Sequence, residues 1–406
     1  MSKVTIVGRG TVGCLAVINF LKFTDFDIEW VFDPDIEPVH VGEGTTLILP
    51  ENLFKTLGMS ANDMIKFQAT SKIGIMKRDW GAKGLGNKFL HPFPIGKSGI
   101  HLSAVYFQDY IFNLVRNLDR VKIVESNIQL DQLDKLDSER ILVCSGTPKN
   151  WDDYIFSNLI PVNSCFVSQC PWDHARFDYS LTYAMPWGWV FGIPLRNRCS
   201  IGYLFNEHIT DVEVIKEDVK SILTEFKLEP NLQRQIRFKN YIRKNNFSER
   251  VIYNGNASFF SEPLEATSLN SSLVIIYCAI SYFNKESKDL EGFNNLYLQM
   301  NSENESIILM HYLAGSSFKN EFWNKAQENA YKKLSRELKY DNNFSNVVKK
   351  SLIQTPLLND LNLVLSKNHQ QHLNNENWGA GSWNVESFSV NIEGLGLRDQ
   401  ITSMVF

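Results

Sequence analysis

The stretch Lys3–Asp33 limits the fold of this chain more than any other part of it. Val4, Thr5, Ile6 and Val7 form a short, β-branched run of the kind used by a strand buried on both faces. Gly8-Arg9-Gly10-Thr11-Val12-Gly13 follows at once, and Cys14, Leu15, Val17, Ile18, Leu21 and Phe23 give the next segment the apolar face of a helix. A second strand, from Ile28 to Phe32, ends on Asp33. This is the order of a dinucleotide-binding βαβ unit. Gly8 permits the tight turn, Gly10 lets the backbone approach a pyrophosphate at the helix start, and Gly13 lets helix and strand pack closely. Asp33 would accept hydrogen bonds from a ribose hydroxyl. The pattern alone leaves NAD and FAD open, and beside them an ordinary glycine-rich βα turn.

A chain of 406 residues is too long for one small core, so one composite domain or two joined modules are expected. Apolar residues at 44% and charged residues at 21% describe a globular protein, and a net charge of −4 argues against a nucleic-acid partner held by phosphate neutralisation. Six cysteines without a Cys-x-x-Cys pair read as reduced thiols, and no metal site is expected. No signal peptide is visible at the N-terminus, and the longest apolar run, Leu273 to Ser281, is too short to span a membrane. The expectation is a cytoplasmic protein with no membrane partner; a homo-oligomer is left open.

Further along, Val41-Gly42-Glu43-Gly44-Thr45-Thr46 makes a glycine-rich turn carrying an acid, and Leu53 to Met59 is expected to be a short helix. Ala69 to Ile75 reads as a strand in which Lys72 is either a snorkelling edge residue or a buried amine. His91-Pro92-Phe93 lines an aromatic cleft or packs as a loop on the core. Ile141-Leu142-Val143 feeds Cys144-Ser145-Gly146, a second strand-to-glycine turn. From Pro161 to Phe205 short strands predict an antiparallel sheet, with Trp187, Trp189 and Phe191 on one of its faces. Asp211 to Phe226 is a polar helix. Glu262 and Glu265 precede the apolar run from Leu273 to Phe283, where acids complement a helix dipole at the least. The last third is helical, with His311-Tyr312 and Phe322-Trp323 as aromatic islands, and Asn368 to Asn384, carrying Trp378 and Trp383, is expected to be a mobile loop.

In this order the landmarks resemble the flavin-dependent halogenases of the tryptophan-halogenase type over nearly the whole chain. Gly8-Arg9-Gly10-Thr11-Val12-Gly13 is similar to the family's FAD fingerprint, Gly42-Glu43-Gly44-Thr45 to its Gly-Glu-x-Thr turn, and Ala69-Thr70-Ser71-Lys72 to the segment with its catalytic lysine. Gly188-Trp189-Val190-Phe191-Gly192-Ile193-Pro194 resembles the signature Trp-x-Trp-x-Ile-Pro, with phenylalanine for the second tryptophan. Glu262-Pro263-Leu264-Glu265-Ala266-Thr267-Ser268 is similar to the family's Glu-Pro-Leu-Glu-Ser-Thr-Gly. Three departures stand out: Asn256 after Gly255 where Gly-Asp is usual, Ser268 for a glycine, and a chain shorter than typical tryptophan halogenases.

The resemblance implies an α/β fold: a Rossmann-like FAD-binding module of the flavin monooxygenase type over residues 1–300, discontinuous, with the antiparallel sheet inserted at about 161–205. A mainly helical part, 301–406, would complete the substrate pocket. It implies FAD contacts at Gly8, Gly10, Thr11, Val12, Gly13, Asp33, Glu43, Gly255 and Asn256. Catalysis would fall to Lys72 and Glu265, a wall between flavin and substrate to Trp189, Phe191, Ile193 and Pro194, substrate stacking to His91 and Phe93, and halide contacts to Thr267 and Ser268. Reduced FAD would come from a separate flavin reductase, and with O₂ and chloride, bromide or iodide it would yield hypohalous acid. Lys72 would then hydrogen-bond that oxidant or carry the halogen as a haloamine to a small, electron-rich aromatic substrate. An FAD-dependent aromatic monooxygenase and a flavin-binding homologue without catalysis are the alternatives.

Overall fold

The computed structural model describes residues 2–37, 42–81, 85–94, 96–353 and 383–405. Its first layer is a parallel sheet in the order Val251–Tyr253, Ile141–Val143, Lys3–Val7, Asp27–Phe32, Val121–Glu125. Val4 and Ile6 are fully buried in the central strand, as the unbroken β-branched run requires. The helix Thr11–Phe23 covers the sheet together with Ala104–Val115 and Ser268–Phe283. Leu15, Val17 and Phe20 are shut away completely, each burial contributing about 1.5–3 kcal/mol, so packing rather than helix propensity holds this helix in place.

The antiparallel region is larger than Pro161–Phe205. Seven strands run in the order Leu232–Arg237, Ser164–Pro171, Arg198–Phe205, Gly188–Pro194, Ser180–Met185, Gly74–Arg78, Lys88–Pro92, and the pair Ser180–Met185 with Gly74–Arg78 is parallel. Neither flanking addition lies in the stretch of evenly spaced short strands from which the sheet was expected. The single strand expected from Ala69 to Ile75 is two: Thr70–Lys72 pairs with Gly99–Ser103, which also pairs with Gly42–Gly44, while Gly74–Arg78 belongs to the large sheet. Ile73 makes the break, donating its N–H to Asp178 and accepting from the Phe93 N–H, both outside the ladders. Lys72 therefore sits where the small sheet hands over to the large one. The helix expected at Leu53–Met59 is a π-helical turn, Glu51–Thr56.

The helices Leu290–Ala314, Glu321–Tyr340, Asn342–Ile353, Val385–Leu395 and Arg398–Val405 pack on the large sheet. One apolar core joins Trp189 and Phe191 to Leu309, Trp323, Trp383 and Phe388, and residue 300 falls inside the first of these helices. Residues 368–382 of the expected loop, Trp378 among them, lie outside the described residues; Trp383 lies within them and is buried. The helical stretch Leu264–Phe283 is long and apolar enough to cross a membrane by length and composition, but 61% of its apolar window is buried inside the protein. All six cysteines are free thiols.

Candidate active site

The nucleotide end is built by close approach. Gly8 has φ +110°, and a Cβ there would lie 2.5 Å from the Cys144 carbonyl oxygen; a Cβ on Gly13 would lie 2.1 Å from the Gly8 carbonyl oxygen. Gly10 differs, because nothing lies within 4 Å of its Cβ position, so its backbone faces open space. As N-cap of Thr11–Phe23 it offers no side chain to the first-turn N–H groups, and no acid stands in that turn, which leaves the positive helix end available to an anion. Asp33 follows Asp27–Phe32, and Gly255, with φ +57°, packs on Val12 just beyond Val251–Tyr253. Gly8, Asp33, Cys144 and Gly255 thus all lie at the carboxyl ends of parallel strands, where nucleotide sites form in such sheets. Asn256 is exposed, and its backbone oxygen accepts from the Tyr241 hydroxyl at 2.6 Å. The set fits a dinucleotide: a bare helix start, a neighbouring acid, and glycines where a side chain would obstruct.

Glu43 ties this end to the rest. The Thr11 hydroxyl donates to it at 2.5 Å, and burial, opposed by that bond, pushes its carboxyl up to about 7. On the other side of the turn a Cβ at Gly42 would meet Ile193 at 2.9 Å, and the Pro194 carbonyl accepts from Thr70 at 2.5 Å. The strand Gly188–Pro194 therefore backs both the turn beside the nucleotide end and the strand that carries Lys72. Gly202 leaves room for the Phe191 ring, whose edge would lie 2.2 Å from a Cβ there.

Lys72 ends its strand with the Ser98 hydroxyl bridging its backbone, accepting from its N–H and donating to its carbonyl oxygen. Its ammonium nitrogen is completely buried and makes no hydrogen bond among the described residues. The Phe93 ring lies 5.5 Å away. Lys72 Nζ, at 3.6 Å, and Ser180 Oγ, at 3.3 Å, surround the point where a side chain at Gly44 would begin, with the His101 ring also at 3.6 Å. Burial lowers the Lys72 amine to about 7, with Glu265 opposing and Lys77 reinforcing. His101, bonded to Ser180 at 2.9 Å, is held well below its ordinary value by burial and by the Lys72 charge, so it stays neutral. A surface cleft of about 730 Å³, lined by Ser71, Arg176 and Arg196, lies on the other side of this strand and does not reach the amine.

Glu265 stands on a strained turn, with φ +69° at Glu265 and +54° at Ala266, in the left-handed region that side chains rarely adopt. Four side chains surround it. Lys77 Nζ lies 2.5 Å from Oε1 and Trp383 donates to Oε2 at 2.7 Å. His91 and His311 each approach to 3.2 Å. Burial works against its charge, but Lys77, His311 and His91 outweigh it and hold the carboxyl well below the usual range. Burial lowers His91 and takes His311 down to about 4, so both are neutral imidazoles, and His311 gives its one N–H to the Ile307 carbonyl at 3.0 Å. Glu265 thus accepts from Trp383 and pairs with Lys77, and Lys72 is not among the groups that touch it.

Glu262, three residues earlier, is in the opposite state. It accepts from the Trp189 indole at 3.1 Å and from the Tyr312 hydroxyl at 2.8 Å, with no cation beside it, and burial pushes its carboxyl up to about 8. Thr267 and Ser268 open the helix Ser268–Phe283, whose first turn has no side-chain cap, and Asn270 in that turn donates to Thr46.

Sequence reasoning found Lys72, Glu265 and Trp189 but missed His101, Ser180 and Lys77, and it read Trp383 as part of a mobile loop. A signal existed for Lys77: alternation within Gly74–Arg78 puts it on the buried face with Ile75. For His101 and Ser180, each inside its own strand, none did.

The tryptophan halogenase family model matches residues 3–140 and 139–380. Tryptophan 7-halogenase RebH of Lentzea aerocolonigenes is 22% identical over 81% of this chain and 79% of its own. A tryptophan halogenase structure from Shewanella frigidimarina has a TM-score of 0.73 at 17% identity, covering 100% of this chain and 93% of its own. BrvH, a flavin-dependent halogenase from Brevundimonas, has a TM-score of 0.72 at 18% identity, covering 100% of this chain and 96% of its own. With the family matched along nearly all its length and the fold shared end to end, this chain belongs to the tryptophan halogenase family of flavin-dependent enzymes.

Proposed function

We propose that this chain halogenates an electron-rich aromatic ring and that Lys72 delivers the halogen. The observation that supports this best is the Lys72 amine: buried, without a hydrogen-bond partner among the described residues, and lowered by burial to about 7. Gly8, Gly10, Thr11, Val12, Gly13, Asp33, Glu43, Gly255 and Asn256 would hold FAD. Bound in its reduced form, FAD supplies hypohalous acid from O₂ and a halide, the reduced cofactor coming from a separate flavin reductase.

The rest is the work of the chain. Trp189, Phe191, Ile193 and Pro194, all buried in one strand, would wall the nucleotide end off from Lys72 and pass only a small oxidant. With about half its molecules neutral near pH 7, the Lys72 amine attacks the halogen of hypohalous acid. A nitrogen–halogen bond forms, the oxygen–halogen bond breaks, and the amine proton leaves with the oxygen as water. The ring carbon then takes the halogen, the nitrogen–halogen electron pair stays on nitrogen, and the ring proton returns to it. In its ammonium form Lys72 hydrogen-bonds the same oxidant. Glu265 orients His91, and with Phe93 this histidine would meet the substrate ring. Thr267 and Ser268, at an uncapped helix start, would meet the halide. The relatives named for tryptophan point to an indole as the first substrate to test.

The test supplies FAD, a flavin reductase with NADH, and bromide to a panel of indoles, phenols and azoles, and reads product mass. A brominated product that disappears in Lys72→Ala, while FAD binding persists, is the expected result. Hydroxylation without halogen uptake, or bromination that survives Lys72→Ala, overturns the proposal.

A further inference from the structure

Among the described residues two lysines, Lys72 and Lys77, are completely buried, and both interact with the same carboxylate. A carboxylate shared by two ammonium groups stabilises most the one it touches. Here that is Lys77. Its Nζ lies 2.5 Å from Glu265 Oε1, it donates a second bond to the Asn391 side chain, and the rings of Phe89 and Trp383 lie 5.8 Å and 5.6 Å from it. Asn391 is fixed in turn by donating to the Ser387 carbonyl, 2.8 Å away. Lys77 thus holds two acceptors, and Lys72 is left without one among the described residues.

We propose that Lys77 is a positioning residue whose task is to occupy Glu265 and so keep the Lys72 amine unpaired and able to shed its proton. This rests on Lys72 being the reacting amine. Four titratable groups act on Lys72 or feel its charge: Lys77 from Gly74–Arg78, Glu265 from the turn before Ser268–Phe283, His101 from Gly99–Ser103 and His91 from Lys88–Pro92. The two histidines are neutral, so the balance is set by the Lys77–Glu265 pair and by burial. Desolvation and the charge of another cation are recognised ways to make a lysine nucleophilic near neutral pH, and both act on Lys72. Take Lys77 away, and Glu265 keeps Trp383 and two neutral histidines but loses its countercharge. The Glu265 charge, which favours the Lys72 ammonium, is then no longer offset by that of Lys77, and the ammonium form gains.

The test reads the ionisation of Lys72 without turnover. Full-length protein with oxidised FAD is labelled with [ε-¹³C]lysine, the Lys72 resonance is assigned by its absence in Lys72→Met, and its shift is followed with pH. In the wild type the midpoint is expected near the value of about 7 set by burial. In Lys77→Met it should rise by about 1 unit or more, and the acid limb of any bromination profile should move the same way. Lys77→Arg, which keeps the charge, should leave the midpoint close to that of the wild type. If Lys77→Met does not fold, Lys77→Gln, which still donates to Glu265 but has no charge, is read in its place. A midpoint that stays or falls in the uncharged variant overturns the proposal, as it would if His91 or His311 took up the proton. So does an equal rise in Lys77→Arg. Absence of halogenation with the titrations as expected would refute the halogenase reading, with the control of Lys72 ionisation by Lys77 still shown.

Discussion

Glu262→Gln should make the protein more stable, and increasingly so as the pH rises. The carboxyl of Glu262 is buried and accepts from Trp189 and Tyr312, with burial raising it from an ordinary 4.5 to about 8. Below pH 4.5 the group is protonated in both folded and unfolded chains, and its ionisation contributes nothing. Between 4.5 and 8 the unfolded chain releases the proton while the folded one keeps it, so each pH unit costs the folded state about 1.4 kcal/mol. The loss reaches about 4–5 kcal/mol by pH 8 and then stays constant, a large part of the 5–15 kcal/mol typical of a domain. Glutamine keeps the volume, and its amide oxygen still accepts from the indole and the phenol, but it has nothing to ionise. Urea unfolding of both proteins at pH 5 and pH 8.5 measures the difference, with reversibility checked at each pH. The stability gap between variant and wild type should widen by several kcal/mol between the two conditions. A gap that is the same at both pH values would show that Glu262 is already ionised in the folded protein, and the reasoning about the wall would fall with it.

Gly8→Ala should cost about 2 kcal/mol or more and abolish FAD binding, because φ there is +110° and the new Cβ would lie 2.5 Å from the Cys144 carbonyl oxygen; urea unfolding and flavin fluorescence check both. Trp383→Phe keeps most of the ring packing but removes the indole donor at 2.7 Å from Glu265, so urea unfolding should show a loss of about 2 kcal/mol, and an unchanged midpoint would mean that this bond contributes nothing.

The nucleotide end was legible from the residues because its determinants are local. The strand, the three glycines, the helix face and Asp33 fall within one short stretch, and the backbone conformation that Gly8 must adopt follows from its place in the turn. Lys72 and Glu265 became legible only through their family motifs, since a single lysine in an extended segment reads as an edge residue. The remainder of the site depends on contacts between distant parts of the chain. Glu265 meets Lys77, His91, His311 and Trp383, which come from two different strands, a helix and a position two residues before Val385–Leu395. The break at Ile73 is equally remote in origin, because it is made by hydrogen bonds to Asp178 and Phe93 and not by anything in the residues around it.

The two glutamates three residues apart show what the strained turn accomplishes. On a regular helix, side chains at i and i+3 share a face and would share an environment. Here φ of +69° and +54° at Glu265 and Ala266 turns the backbone between them and the next helix, at a cost of about 1–3 kcal/mol for each residue. Glu262 is delivered to Trp189 and Tyr312 and keeps its proton; Glu265 is delivered to Lys77 and loses it. The carboxyl bonded to Trp189 is therefore uncharged, while the other forms an ion pair with Lys77. In the proposed reaction a neutral wall would neither attract nor repel an uncharged oxidant, and the Lys77 charge would offset the pull of Glu265 on the Lys72 proton. Strain in one turn thus separates two carboxyls into two states, and the Trp383 indole, bonded to Glu265 at 2.7 Å, helps hold the second in place.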